Sequence, residues 1–187
     1  MRVVIFKEIV GGDLRKLRAE SNDADSGGGA RDFRFPHREF GGAFSRIFSG
    51  TERQKRGRGS KKRDVSIPVG RFYWERDGKV EWKEARYEPP TDSRPTEGRI
   101  PVVHTYPPLR TPPPSKEGRL LVLIIQREDG TVWPAFATED SLRRESKADE
   151  DQWADAVRRP ILKALADTAE SGAVARGVID LGGEVDE

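Results

Sequence analysis

The chain predicts a mainly β, mixed α+β fold with short helices and a helical appendage at its C-terminal end. Three observations carry that expectation. Val65, Ile67 and Val69 alternate ahead of an Asp77-Gly78 turn and a returning strand. A second apolar run, "LLVLII" at 120–125, meets Asp129-Gly130 and a partner strand bearing Trp133. After Ser141 the apolar spacing is four over a longer stretch, at Trp153, Val157, Ile161 and Leu165. Strands separated by tight turns favour a barrel or sandwich over a parallel α/β sheet.

"RVVIF" at 2–6 reads as a buried strand, and "DLRKLRAE" at 13–20 as a short helix with Asp13 as its cap. Glycines 27–29 make a loop that turns into "RDFRF", a strand closed by Pro36. In "REFGGAFSRIFSG" (38–50), Phe40, Phe44, Ile47 and Phe48 fit one face of a short helix. Residues 51–63 hold seven basic side chains from Arg53 onward and nothing to bury, which predicts a mobile loop. The hairpin of 64–87 follows, then a proline-punctuated loop over 88–99 and a strand at 100–106. Residues 107–118 read as a stiff extended connector before the second hairpin. Ser141 is placed to cap the next helix, and Pro160 to kink or split the last one.

Composition narrows the functional classes. The 187 residues suit one domain, with 34% apolar and 35% charged residues. Cysteine is absent, which removes disulfides, thiolate metal sites and a cysteine nucleophile, and fits a reducing cytoplasm. The short apolar run at the start is broken by Lys7 and Glu8, too soon for a signal peptide or a membrane span. Residues 139–187 carry 13 acidic against 7 basic side chains, and residues 1–138 carry 27 basic against 19 acidic. A basic body with an acidic tail suits a polyanionic partner for the body.

The motifs point to binding more than to catalysis. His37 and His104 are the only histidines, with no second ligand at metal spacing, so neither a metal nor another cofactor is expected. Asp64, Glu81 and Lys83 imitate the acid and Glu-x-Lys set of a small metal-dependent nuclease, where two carboxylates hold magnesium and lysine activates water. The plainer reading is alternating charge on an exposed strand, with Trp82 as the buried residue between them. On the strand "RDFRF", Phe33 and Phe35 read as core anchors, leaving Arg34 and the glycine loop exposed. "SRPTEGR" brackets Glu97 with Arg94 and Arg99. Arginine can address guanine with two hydrogen bonds, and glutamate can accept from the cytosine amino group. Arg58, Lys61, Lys62 and Arg63 of the basic loop are candidates for phosphate contacts.

The order of these motifs resembles the N-terminal DNA-binding domain of EcoRII-type restriction endonucleases, a DNA-binding pseudobarrel fold. The resemblance spans about residues 19–140 and rests on three segments: "SNDADSGGGARDFRFP", "EARYEPPTDSRPTEGRIPVV" and "RLLVLIIQREDGTVW". It implies a pseudobarrel over 1–140 and two arms that embrace double-stranded DNA in the major groove. The first arm would be Gly28, Gly29, Arg31 and Arg34, and the second Arg94, Glu97 and Arg99. Gly29 and Arg34 stand where the family has histidine and tyrosine, so the base preference implied is different. The family's nuclease domain has no counterpart, and the acidic helical tail, 141–187, stands in its place. The resemblance implies a sequence-preferring DNA binder within a restriction or phage-defence system. An alternative is an interaction subunit whose C-terminal helix docks a separate effector or nuclease subunit.

Overall fold

The computed structural model describes residues 1–18, 31–56, 62–114, 117–144 and 155–182. Gly28, Gly29, Arg58, Lys61 and Trp153 lie outside the described residues.

The fold is mainly β, mixed α+β, built on one open twisted sheet. One strand in from an edge of the sheet lies β1 (Val3–Glu8), whose six residues are all buried because both faces of the strand are covered. β7 (Leu120–Gln126) and β9 (Arg176–Asp180) pair antiparallel on either side of it. The sheet continues from β7 to β8 (Val132–Thr138), β4 (Arg63–Arg76) and β3 (Gly50–Arg56), and β5 (Lys79–Arg86) pairs with the far half of β4. A separate two-stranded ribbon joins β2 (Phe33–Pro36) to β6 (Glu97–Ile100).

Both predicted hairpins form, for the expected reason. Asp77 and Gly78 both take positive φ, 52° and 71°, as a two-residue turn matched to strand twist requires. At the other turn Gly130 has φ 83°, and the Asp129 carboxylate accepts hydrogen bonds from the Thr131 backbone N–H and hydroxyl.

Side chains alternate along β1 and β7 into two cores. On one face Val3, Ile5, Val122 and Ile124 meet Leu17 of α1 (Gly11–Arg18) and Phe40, Phe44 and Ile47 of α2 (His37–Ile47). Leu109 of α3 (Pro107–Arg110) and Phe33 and Phe35 of the ribbon complete that core, with both phenylalanines fully buried as the alternation predicts. On the other face Val4, Phe6, Leu121 and Leu123 meet Leu142 of α4 (Glu139–Arg143) and Val157, Ile161 and Leu165 of α5 (Asp155–Thr168).

That second core corrects the expectation of a tail. Residues 155–182 are part of the body: α5 roofs the sheet and β9 is one of its strands. Arg119 fastens the roof by pairing with the buried Glu8 and donating to the Thr168 hydroxyl and the Leu165 carbonyl. Arg176–Glu39 at 2.8 Å and Arg46–Asp180 at 2.7 Å tie β9 to α2. A partner cannot dock on the Val157, Ile161, Leu165 face, because that face is spent on the chain's own sheet.

Other expectations shift locally. Residues 51–56 are strand, not loop, because β3 lies against β4 from Gly50↔Val69 to Arg56↔Arg63. Glu97 and Arg99 sit on a strand rather than in the loop. Residues 103–105 form a 3-10 turn entered through Val102 at φ 49°, where a strand was expected. Thr138, not Ser141, caps α4; Ser141 is the reciprocal partner in the capping box. Pro160 sits within α5 without ending it. Among the described residues, no helix is long and apolar enough to cross a membrane.

Candidate nucleic-acid interface

The ribbon brings the two predicted arginine-bearing segments into register. Phe33 faces Ile100, Arg34 faces Arg99, Phe35 faces Gly98 and Pro36 faces Glu97. Phe33, Phe35 and Ile100 are fully buried, so the alternation sends Arg34 and Arg99 to the opposite side. Two arginines directly opposite repel each other unless carboxylates lie between them. Asp32 does so, and Glu88 flanks Arg99 on its other side, with side chains only 1% and 8% exposed. Arg99 donates from Nε to Glu88 at 2.8 Å and from Nη1 to Asp32 at 3.0 Å. Arg34 stands 3.6 Å from Asp32 and 3.9 Å from Glu97.

Further arginines close the cluster. Arg86 lies 3.4 Å and Arg56 3.8 Å from Glu88. Arg94 is presented by a tight turn in which Thr91 and Arg94 exchange backbone hydrogen bonds of 3.1 and 2.9 Å. Its guanidinium donates to the Glu97 carbonyl at 3.3 Å. Arg34, Arg56, Arg86, Arg94 and Arg99 thus surround Asp32, Glu88 and Glu97, leaving an excess of positive charge on an accessible surface.

The arginines differ in how much of their capacity is used. Burial works against the charge on Arg99, and hydrogen bonds to Glu88 and Asp32 outweigh it, so its pKa stands above the ordinary arginine value. Arg94 shifts the other way, lowered by burial and then by the neighbouring charge of Arg99. Arg34 makes no hydrogen bond through its buried Nε, and its side chain is 38% exposed. Arg99 is fixed in place, whereas Arg34 and Arg94 keep donors to offer.

The ribbon is locked to the core at Gly98. A Cβ there would fall on the hydroxyl and Cζ of Tyr87. Tyr87 is 1% exposed, stacked on Phe44 with ring centroids 4.3 Å apart, and in hydrogen-bond contact with His37 Nδ1 at 3.2 Å. Burial raises its phenol well above the usual range. Arg31 lies at the start of the ribbon, where its carbonyl accepts from Val103 N–H at 2.9 Å. The pKa of nearby His104 is lowered by burial first and then by the charges of Arg31, Lys83 and Arg110.

The basic hairpin adjoins this surface. Lys62 and Arg63 are exposed, and Arg63 lies 3.6 Å from Asp92 in the turn that carries Arg94. Arg56, 3.8 Å from Glu88, links β3 to the arginine cluster in the same way.

Asp64, Glu81 and Lys83 are not brought together. In register Asp64 faces Lys55, Glu81 faces Trp74 and Lys83 faces Phe72. Residues 64 and 74 are separated by on the order of 30 Å of extended strand. The Glu81 carboxylate accepts from the Trp74 indole at 2.9 Å, and Lys83 points over the Tyr106 ring. Trp82 is 51% exposed rather than buried, because β5 turns Glu81 and Lys83 toward the face of Phe72 and Trp74. Among the described residues, no group of three histidine or acidic side chains is arranged to hold a metal ion.

Sequence reasoning missed Glu88 and Arg86, read Arg56 only as part of the basic loop, and weighed Asp32 only as a strand neighbour. Asp32-x-Arg34 and Arg86-x-Glu88 have the two-residue spacing that puts both members on one strand face, and that signal was available. Nothing in the spacing joins Glu88 to Arg99. Comparison with protein-family models, curated proteins and solved structures returned no match for this chain.

Proposed function

We propose that the chain binds double-stranded DNA by laying the β2–β6 ribbon in the major groove, with a preference for sequence. The observation that carries this reading is the register Arg34↔Arg99, which gathers both arginine-bearing segments around two buried carboxylates. A two-stranded ribbon fits the major groove, and a guanidinium held in fixed geometry discriminates a base by about 1–3 kcal/mol. Arg34, Arg94 and Glu97 have the remaining capacity to read bases. Arg99 acts as a positioning residue between Asp32 and Glu88. Arg31, Gly28 and Gly29 belong to the first arm, and Lys62 and Arg63, with Arg58 and Lys61, supply phosphate contacts.

The resemblance to EcoRII-type DNA-binding domains supports the same reading and is what suggests a restriction or phage-defence setting. The separation of Asp64, Glu81 and Lys83 disfavours the nuclease alternative. The test is titration of a labelled duplex at several salt concentrations. Neutralising Lys62 and Arg63 lowers the salt slope by about one per lost phosphate contact and weakens all sequences alike. Duplex affinity indifferent to Lys62, Arg63, Arg34 and Arg94 together would defeat the proposal.

A further inference from the structure

The sheet face that α4 and α5 cover over β1, β7 and Ala137 at the end of β8 continues past that cluster onto Trp133 of β8, Tyr73 of β4 and Trp82 of β5. Phe72 and Val132 are paired and point into the core, so Tyr73 and Trp133, one residue on, point outward together. Trp82 of β5 faces Tyr73 in register. Three aromatic side chains therefore cross three adjacent strands in the order Trp82, Tyr73, Trp133. Tyr73 and Trp133 stack with centroids 6.3 Å apart and planes 28° from parallel. An arginine caps each end: Arg71 lies 3.9 Å over the Trp82 ring, and Arg127 lies 3.7 Å over Trp133.

A face built only to finish the fold has little use for this arrangement. Trp82 stays 51% exposed on an outer strand, and Val80 beside it is 62% exposed. Hollows flank Tyr73 on both sides. One, of about 400 Å³, is lined by Arg71, Tyr73, Trp82 and Glu84, and the other, of about 730 Å³, by Tyr73, Arg76, Arg127, Trp133 and Pro134. Among the charged residues lining the two, Arg71, Arg76 and Arg127 outnumber Glu75 and Glu84.

We infer that this Trp82–Tyr73–Trp133 row, capped by Arg71 and Arg127, is a stacking platform for the unpaired bases of a single-stranded nucleic acid. Flat π faces and guanidinium planes are the surfaces on which splayed-out bases stack, and the arginines place positive charge where the strand's phosphates would run. An apolar peptide would fill the hollows with aliphatic groups and leave both guanidiniums without an anion. The platform uses none of the ribbon's arginines, and the inference does not rest on the duplex reading.

The test uses the full chain and two labelled probes of about 12 nucleotides, an oligothymidylate and the matching abasic deoxyribose-phosphate oligomer, followed by anisotropy at low salt. The oligothymidylate binds more tightly than the abasic oligomer and quenches tryptophan fluorescence. Trp82→Ala and Trp133→Leu each weaken the oligothymidylate by about tenfold or more and leave the abasic oligomer alone. Trp82→Ala sits at an exposed position, and its thermal melt verifies that it folds. Equal affinity for the two probes would reduce the site to phosphate attraction and overturn the inference. So would a folded Trp82→Ala that binds oligothymidylate like the parent. A change in self-association on Trp82→Ala, with oligothymidylate binding intact, would give the face to a second copy of the chain and overturn it as well.

Discussion

Replacing Arg99 by alanine separates positioning from reading. Arg99 makes charged hydrogen bonds of 2.8 and 3.0 Å to carboxylates that are 8% and 1% exposed. Each such bond is worth about 1.5–3 kcal/mol, and removing one partner of a buried charge pair costs about 3–5 kcal/mol. Three features reduce the loss. Glu88 keeps Arg86 at 3.4 Å and Arg56 at 3.8 Å, and Asp32 keeps Arg34 at 3.6 Å. The Arg99 side chain is also 28% exposed, so water partly replaces it. The expected destabilisation is about 2–4 kcal/mol, read as a lower urea midpoint at unchanged slope. Arg99→Lys does not restore it, because an ammonium cannot fork between two carboxylates. Arg94→Ala, which gives up one 3.3 Å bond to a carbonyl, costs under about 1 kcal/mol of stability. A loss below about 0.5 kcal/mol for Arg99→Ala, or strict additivity with Asp32→Ala, would refute the reasoning.

Other consequences follow from the same structure. Gly98→Ala forces a methyl group onto the buried Tyr87 ring and destabilises by about 2–3 kcal/mol in urea unfolding; a neutral outcome would mean that the ring can move aside. Burial pushes the Tyr106 phenol from 10.0 up to about 12, so the fold favours the neutral form. That stabilisation is whole below pH 10 and is lost as pH rises toward about 12. Tyr106→Phe flattens the alkaline fall in stability and gives up about 1 kcal/mol at neutral pH with its bond to the Glu84 carbonyl; an unaltered alkaline slope contradicts this. Ending the chain before Asp155 uncovers Val4, Phe6, Leu121 and Leu123 and removes β9, so cooperative melting disappears. A shortened chain that melts like the parent would show that residues 155–182 are dispensable after all.

The legible parts of the fold were those decided locally. Asp77-Gly78 and Asp129-Gly130 turn the chain because few other pairs tolerate those backbone angles, and Phe33 and Phe35 go inward because a strand alternates. β9 was invisible because "RGVID" gains its place only by pairing with β1, at a sequence separation of about 170 residues. The same separation hid the purpose of Val157, Ile161 and Leu165. Their spacing announced an apolar helix face, but not that the chain's own sheet was its partner. At the ribbon, Arg34, Arg94, Glu97 and Arg99 were all found as candidates, since a charge cluster beside buried aromatics shows in the sequence. Their unequal roles were not, because Glu88 reaches Arg99 through a backbone bridge that spacing does not encode. For β5 the hydrophobic pattern misled: Trp82 belongs outside, and the register with β4 turns Glu81 to the core face, where it accepts a hydrogen bond from Trp74.

The most direct test of the central claim is selection from a randomised duplex library, with sequencing, by the parent chain and by Arg94→Ala. The account predicts an enriched motif for the parent and a relaxed position or positions within that motif for the variant, whose stability is nearly unchanged. Recovery of no motif, with binding that collapses as salt rises, would leave only phosphate attraction by the basic hairpin and contradict base reading by the ribbon.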